Sequence, residues 1–475
     1  MPLYKKTKIV ATLGPACSDK ESLRKMIYAG VNVFRINFSH ADYSDVIEKV
    51  KIIRELNKET GRNIAVLADL QGPKLRVGVM KDAHLNNGDI FTFTTEKCTG
   101  NSKKAFMTYQ TFPQDVKAGE HILVDDGKLM FEVLKSDNKT EVTTKVIRGG
   151  ELKSKKGVNL PNTNISQPAL TEKDIEDAIF AMTLDVDWFA LSFVRTGEDL
   201  QMLHDLIKKH SPYKIPVIAK IEKPEAVKNI DDLIPFCDGL MVARGDLGVE
   251  VPMNEVPIIQ KQLVLRAKQA RIPVIIATQM MESMIENLVP TRAEVNDVAN
   301  SIMDGADAVM LSGETSVGID PANVIQHMSD IIVSVEDSPL IKVPHVAPHI
   351  KTDRYISKAI CHHAALLAND IDAKAISTLT NSGYTAFQIS AWRPKHAHVI
   401  AFTSNKRILN MLSLLWGVKA FYYNNLVDTD TTIKEINKIA CEKGFLEKDD
   451  YVINLTSMPV KEKGKVNTLR VTQIN

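Results

Sequence analysis

Charge of one sign is what this 475-residue chain lacks: 59 Lys and Arg offset 58 Asp and Glu, leaving +1. A dedicated nucleic-acid binder carries a large basic excess, so the balance argues against that class, though not against local basic pockets for anionic metabolites. Closely spaced cysteines are also missing. Cys17, Cys98, Cys237, Cys361 and Cys441 stand far apart, without metal-site or redox spacing, and read as free thiols of a reducing compartment. No apolar run reaches membrane-spanning length. The amino-terminal segment has Lys5, Lys6 and Lys8 before a short apolar run broken at Gly14-Pro15, a poor signal peptide. The expectation is a cytoplasmic protein with no nucleic-acid or membrane partner. Short-period repeats and low-complexity tracts are absent as well.

What is present is an alternation. Short apolar runs at 8–13, 31–37 and 64–70 read as buried parallel strands, with helices between them at 20–29 and 45–60. Ser18 or Asp19 caps the first helix, and Gly30 and Gly61 stop the two helices. At Gly72-Pro73 the rhythm changes to β patterns that persist from about 75 to 158. The clearest hairpin joins 122–124 to 128–133 through Asp125-Asp126-Gly127, and a second turn falls at Asp137-Asn138. Alternation then resumes, with strands at 186–192, 215–220, 239–243, 274–277 and 308–311 and helices such as 253–270. Three strands before the interruption and five after it make eight, the number in a (β/α)8 barrel. A linker at 338–352 leads to a final alternation: helix 355–369, strand 373–379, helix 383–392, strand 399–403. The fold expected is α/β: a (β/α)8 TIM barrel in two parts, 1–71 and 168–340, an inserted small all-β lid domain at 72–167, and a C-terminal open-sheet α/β domain at 341–475.

Barrel chemistry sits where strands end and loops begin. Strand two ends in Arg35, Asn37 and Ser39, which share a face if the strand persists. Arg35 there is either an anion anchor, its fork matching phosphate oxygens, or half of a surface ion pair. Strand five ends in Lys220 and Glu222, either a structural pair or a cation beside a metal ligand. Strand six runs into Gly245-Asp246, where glycine permits close approach of a ligand and Asp246 offers a second hard oxygen for Mg2+. Thr278, after strand seven, supplies a hydroxyl or caps a helix, and Met280, Met281 and Met284 read as core. Two carboxylates and a lysine at adjacent strand ends carry more weight than either carboxylate alone.

The segments Thr7 to Pro15, Arg35 to His40, Lys156 to Pro161, Lys220-Ile221-Glu222, Met241 to Gly248, Ala277 to Met280, Pro290 to Glu294 and Met310 to Thr315 occur in this order. Together they resemble the pyruvate kinase family along essentially the whole chain. The resemblance implies phosphoryl transfer from phosphoenolpyruvate to ADP, giving pyruvate and ATP. It implies Arg35 as the phosphoryl anchor, Lys220 as stabiliser of the transferring group and the enolate, and Glu222 and Asp246 as ligands of Mg2+, with Mn2+ as an alternative. Backbone at Gly245 and Asp246, with Thr278, would hold the substrate carboxylate. Asn37, Ser39, His40, Arg76 and Lys156 match nucleotide-contacting positions, and Lys156 stands where the inserted domain returns. A homotetramer and a regulatory C-terminal domain are implied as well.

One departure stands out. Many family members need K+ and carry Asp-Thr-Lys-Gly-Pro-Glu after strand three, whereas this chain reads Asp69-Leu70-Gln71-Gly72-Pro73-Lys74, with Val77 following. That pattern resembles the K+-independent branch: an ammonium at Lys74 would bring the charge K+ otherwise brings. Asn37, Ser39 and Asp69 still match the side chains that ligate K+ elsewhere. In the last domain, Thr380, Ser382, Gly383 and Thr385 join a strand to a helix start, a place suited to a phosphorylated effector, as in the family. Two rival functions share the barrel: a Mg2+-dependent aldolase acting on 2-oxo acids, which needs no nucleotide lid, and a non-catalytic binding protein, which would have lost a charged site residue.

Overall fold

The computed structural model describes residues 5–336, 338, 354–459 and 465–475; the side chain of His40 and, apart from Ser338, the expected linker lie outside the described residues. Eight parallel strands close into a barrel: Lys8–Thr12, Val33–Asn37, Ala65–Leu70, Trp188–Leu191, Val217–Ile221, Gly239–Ala243, Val274–Ala277 and Ala308–Leu311, the last pairing with the first. The expected strands at 239–243, 274–277 and 308–311 appear at those bounds, and the others shift by one or two residues. The helix expected from 45 starts earlier, as Tyr43–Thr60, because Asp42 accepts the amides of Ser44 and Asp45 and caps it. The helix expected from 253 is a 3-10 turn, Met253–Glu255, followed by Val256–Ala270, with Pro257 in the first turn.

Strand side chains alternate between the two faces of a sheet, and in a barrel one face points inward. Val10, Val33, Leu67, Ala190 and Ile218 occupy that inner face and are fully buried. Two residues further along each of those strands the inner face turns polar, as Thr12, Arg35, Asp69, Ser192 and Lys220. One end of the barrel interior is therefore apolar and the other holds charge.

The apolar end is continuous with the core of the C-terminal domain, where Cys361, Ala364, Ile389 and Leu414 belong to the same buried cluster as Val10 and Ile218. Lys8 Nζ donates to the Val418 carbonyl and Trp188 Nε1 to that of Met411, both at 3.0 Å. Asp307, just ahead of strand eight, pairs with Lys268 and, at 3.0 Å, with Arg393 of the C-terminal domain. That domain is a five-stranded sheet in the order Val418–Tyr422, His398–Thr403, Ala375–Leu379, Tyr451–Thr456, Thr468–Gln473, with the last strand antiparallel. It plugs the strand-start end of the barrel and leaves the other end for chemistry.

The insertion is a six-stranded sheet in the order Val158–Asn159, His121–Val124, Leu129–Ser136, Glu141–Arg148, Ile90–Thr94, Lys104–Phe106. It has a core of its own, in which the rings of Phe93 and Phe131 meet edge-on at 5.1 Å. The expected hairpin turn is made with Asp125, Asp126 and Gly127 all at positive φ.

Asp307→Asn tests the docking. It leaves Lys268 and Arg393 buried without a counter-charge, at a cost of about 3–5 kcal/mol. Burial pushes the Asp307 pKa up, but Arg393 and Lys268 outweigh it and hold it below the usual 3.8. The stabilisation is thus full above pH ~4 and is lost as pH falls through the lower folded value. Denaturant unfolding is expected to show a deficit for the variant at neutral pH that narrows below pH ~4.

Candidate active site

Four charged side chains meet in the polar layer. Arg35 Nε lies 2.5 Å from Asp69 Oδ2, and Arg35 Nη1 donates to Thr12 Oγ1 at 3.0 Å. Lys220 Nζ lies 3.2 Å from Asp69 Oδ1 and 3.0 Å from Glu222 Oε1. It also donates to Ser192 Oγ at 2.6 Å, while that hydroxyl donates to the Leu70 carbonyl. None of the four is more than 9% exposed. Two cations and two carboxylates sum to zero, which is what makes their burial tolerable. Asp69 and Glu222 each keep one buried oxygen that faces the ammonium as an ion pair without an aligned hydrogen bond.

The electrostatics follow from this packing. Burial works against the Lys220 charge, but Asp69 and Glu222 outweigh it and raise its pKa above the ordinary lysine value. Burial pushes Glu222 up to about 7, with Lys220 opposing and the nearby Asp246 adding to the rise. The remaining Glu222 oxygen, Oε2, accepts the Phe193 amide at 2.8 Å. Phe193 pays for that bond with φ near +55°, unusual for a bulky residue.

Strand six leads directly into the Arg244–Glu250 helix. Its Gly245 amide donates to Thr278 Oγ1 at 2.7 Å, and Thr278 Oγ1 donates to the Ala277 carbonyl at 2.6 Å. Thr278 thus satisfies an amide of a neighbouring helix and heads none of its own. A Cβ at Gly245 would stand 3.3 Å from that hydroxyl, so glycine keeps the approach open. Thr278 and Gln279 both have positive φ, and Arg244 Nη2 holds the Thr278 carbonyl at 2.7 Å.

One expectation is corrected. Ser39 does not continue the inward face of strand two, because the strand ends at Asn37 and the chain enters a 3-10 turn, Phe38–His40. Asn37 Oδ1 turns back to accept the Ser39 amide at 3.2 Å, a local bond that competes with strand geometry. The lid residues are held by the lid itself: Lys156 pairs with Asp125 at 2.9 Å, and Arg76 Nη1 donates to the Lys155 carbonyl at 3.0 Å. Lys74 is exposed at the edge of a cavity of about 60 Å3 between lid and barrel, which Asp126, Asn159, Lys223, Asp246 and Glu250 also border.

Among the described residues no three His, Cys, Asp or Glu side chains cluster as a metal site. Two carboxylates, Glu222 and Asp246, fit an ion that takes one or two carboxylates and completes its shell with water and substrate oxygens, as Mg2+ does. In the C-terminal turn, Thr380 Oγ1 accepts the Gly383 amide at 2.9 Å, Ser382 is exposed and Thr385 is buried.

Sequence reasoning passed over Thr12, Ser192, the Phe193 amide and Glu250. Ser192 carried a usable signal, since it closes an apolar strand at the end where barrel chemistry collects. The Phe193 amide carried none, because a backbone conformation leaves no mark on residue type.

Two family models match the chain: "Pyruvate kinase, barrel domain" over residues 4–325 and "Pyruvate kinase, alpha/beta domain" over residues 358–472. A pyruvate kinase of Corynebacterium glutamicum is 41% identical over 469 residues, covering 98% of this chain and 97% of the relative. One from Geobacillus stearothermophilus is 40% identical, covering 100% of this chain and 81% of the relative. The crystal structure of a pyruvate kinase from Cryptosporidium parvum superposes with a TM-score of 0.92 at 32% identity, covering 99% of this chain and 96% of that one. These matches support neither the aldolase reading nor the non-catalytic one.

Lys220→Met leaves Glu222 buried without its cation while Arg35 keeps Asp69. At pH ~8, where wild-type Glu222 is mostly ionised, the variant's Glu222 is expected to stay protonated, visible as a protonated-carboxyl band in the infrared difference spectrum against wild type. A spectrum without that band would show that Arg35 has moved to cover both carboxylates.

Proposed function

The chain belongs to the pyruvate kinase family, phosphotransferases acting on phosphoenolpyruvate and ADP, and we propose that the Arg35, Asp69, Lys220 and Glu222 cluster is where this protein moves the phosphoryl group. The observation that carries the assignment is a fixed, buried pair of cations at the open end of the barrel. Both substrates are polyanions, and phosphoryl transfer is mostly positioning and charge stabilisation. Arg35 and Lys220 are held in place by Asp69 before substrate arrives, so little reorganisation is needed. Because its pKa is raised, Lys220 stays cationic at neutral pH and acts as a charge stabiliser for the transferring group and the developing enolate. The Asp246 amide, together with the Gly245 amide and the Thr278 hydroxyl once these exchange their bonds to Thr278 Oγ1 and the Ala277 carbonyl, orients the substrate carboxylate. Asn37, Ser39, His40, Arg76 and Lys156 contact the nucleotide, and Lys156 exchanges Asp125 for phosphate oxygens when it does so.

Members of the family generally depend on Mg2+, and Glu222 and Asp246 are the residues that would hold it here, with Mn2+ as a substitute. The bound ion supplies positive charge to the phosphoryl and enolate oxygens. K+ is not required in this reading. Lys74 borders the same cavity as Asp246, which suits an ammonium doing the work of the monovalent ion; Asn37, Ser39 and Asp69 match the side chains that ligate K+ elsewhere in the family. After transfer the enolate needs a proton on carbon. Lys220 is too basic to release one readily, and a water relay at Thr278 is the proposed source.

The wider reading includes a cytoplasmic homotetramer with a phosphorylated effector at Thr380, Ser382, Gly383 and Thr385. No described helix is long and apolar enough to cross a membrane. Met253, Ile258, Leu288 and Val289 leave apolar side chains exposed on the barrel, as an assembly interface would.

Three measurements test this. A coupled assay is expected to show pyruvate and ATP formed from phosphoenolpyruvate and ADP with Mg2+ in a buffer free of K+ and Na+; near-zero activity rescued by K+ would refute the role of Lys74. Lys74→Glu is expected to make the activity K+-dependent. Thr278→Ala is expected to slow exchange of the pyruvate methyl protons with solvent by about 10²-fold or more, the worth of a positioned proton relay; unchanged exchange, read by NMR in D2O, rules the relay out.

A further inference from the structure

Outside the phosphoryl cluster, one buried carboxylate joins three parts of the molecule. Glu250 ends the Arg244–Glu250 helix, whose first turn carries Gly245 and Asp246. Its Oε1 pairs with Lys223 Nζ at 2.7 Å, and Lys223 directly follows Glu222. The same oxygen accepts from Asn159 Nδ2 at 2.9 Å. Asn159 belongs to the lid, in the strand Val158–Asn159 that pairs with Leu123 and Val124. The Lys223 and Glu250 side chains are 6% and 0% exposed. The other Glu250 oxygen, Oε2, is buried without a hydrogen bond, and Glu250 borders the lid–barrel cavity. A second lid element comes down at the neighbouring residue: a Cβ at Gly127, in the hairpin turn, would lie 3.9 Å from Val249 Cγ1.

Lid and helix are therefore not independent. If the lid strand moves away, Glu250 keeps Lys223 but loses its only other donor among the described residues, and an already under-satisfied buried carboxylate becomes more so. The helix is a single rigid stretch of seven residues, about 10 Å long, so a change at Glu250 reaches Gly245 and Asp246. We propose that Glu250 is a positioning residue that transmits lid closure on the nucleotide, through Asn159, to the helix end that holds phosphoenolpyruvate. Nucleotide and the three-carbon ligand, phosphoenolpyruvate or pyruvate, then tighten each other's binding, and by linkage they do so by the same factor. This rests on the pyruvate kinase reading of the cleft.

The test uses full-length protein with Mg2+, ADP and pyruvate, a pair that cannot react because no transferable phosphoryl group is present beyond ADP itself. Calorimetry gives the affinity of each with and without the other, and amide exchange follows residues 244–250 when ADP alone is added. In wild type, pyruvate is expected to tighten ADP, and ADP to protect 244–250. Asn159→Ala is expected to cut the mutual factor by about tenfold or more, the worth of one hydrogen bond to a charged group. It should also abolish the protection of 244–250 while leaving the affinity for pyruvate alone unchanged. Asn159→Gln, which keeps an amide donor, is expected to restore part of the coupling. Protection and coupling that survive Asn159→Ala overturn the proposal, as does an equal loss of pyruvate affinity with and without ADP, which marks a purely structural contact. Lack of phosphotransferase activity in wild type would instead count against the family-based assignment, and the exchange measurement is read independently of it.

Discussion

Opposite charges packed inside a closed barrel are the constraint on which the rest of this protein depends. Arg35, Asp69, Lys220 and Glu222 occupy a layer from which water is largely excluded, and none could be there alone. Each is tolerated because the others neutralise it, and each is aimed because the barrel strands that carry it are hydrogen-bonded to neighbours on both sides. A cation pair held this way by Asp69 is ready for an anion before the anion arrives. The same packing raises the pKa of Lys220, which keeps it a source of charge and removes it as a ready source of protons.

The layer needs support from both ends. Below it, the apolar half of the barrel interior runs into the C-terminal domain, so the strand starts are closed by packing and by the Asp307 pairs with Lys268 and Arg393. Above it, the backbone departs from easy conformations where ligands would come: Phe193, Thr278 and Gln279 all have positive φ. The Phe193 amide orients Glu222, and the Thr278 hydroxyl orients Gly245. The ring of Phe193 also packs where the lid departs, since a Cβ on Gly72 would come within 2.9 Å of it. Strain, lid root and carboxylate orientation thus share a few residues at the barrel mouth.

Much of this was readable in the chain. Asp19, Gly30 and Gly61 mark helix ends by local chemistry, and the structure uses all three. The eight strands were countable because each is a short apolar run between helices. Arg35, Lys220 and Glu222 were recognisable as exceptions, charged residues at the ends of apolar runs. Errors arose where local bonds competed with pattern. Alternation carried Ser39 onto the face of Arg35, but the Asn37 side chain folds back and ends the strand first. Asp42 was passed over as a cap, so the reading starts the second helix at 45, two residues later than the structure does.

Residue types and their order decided the number of strands, the change of rhythm at Gly72-Pro73, the charged strand ends and the family. These depend on patterns within about ten residues or on the identity of a side chain. Folding in three dimensions decided which charges meet. Arg35 and Asp69 are 34 positions apart, Lys220 and Ser192 are 28, and Asn159 and Glu250 are 91. Nothing along the chain states that these pairs meet, because contact between them follows from barrel closure and from where the lid strand comes to rest. Distances, burial and the pKa values they set are properties of that closure, and so only the folded molecule shows Asp69 holding both cations and Glu250 joining lid to helix.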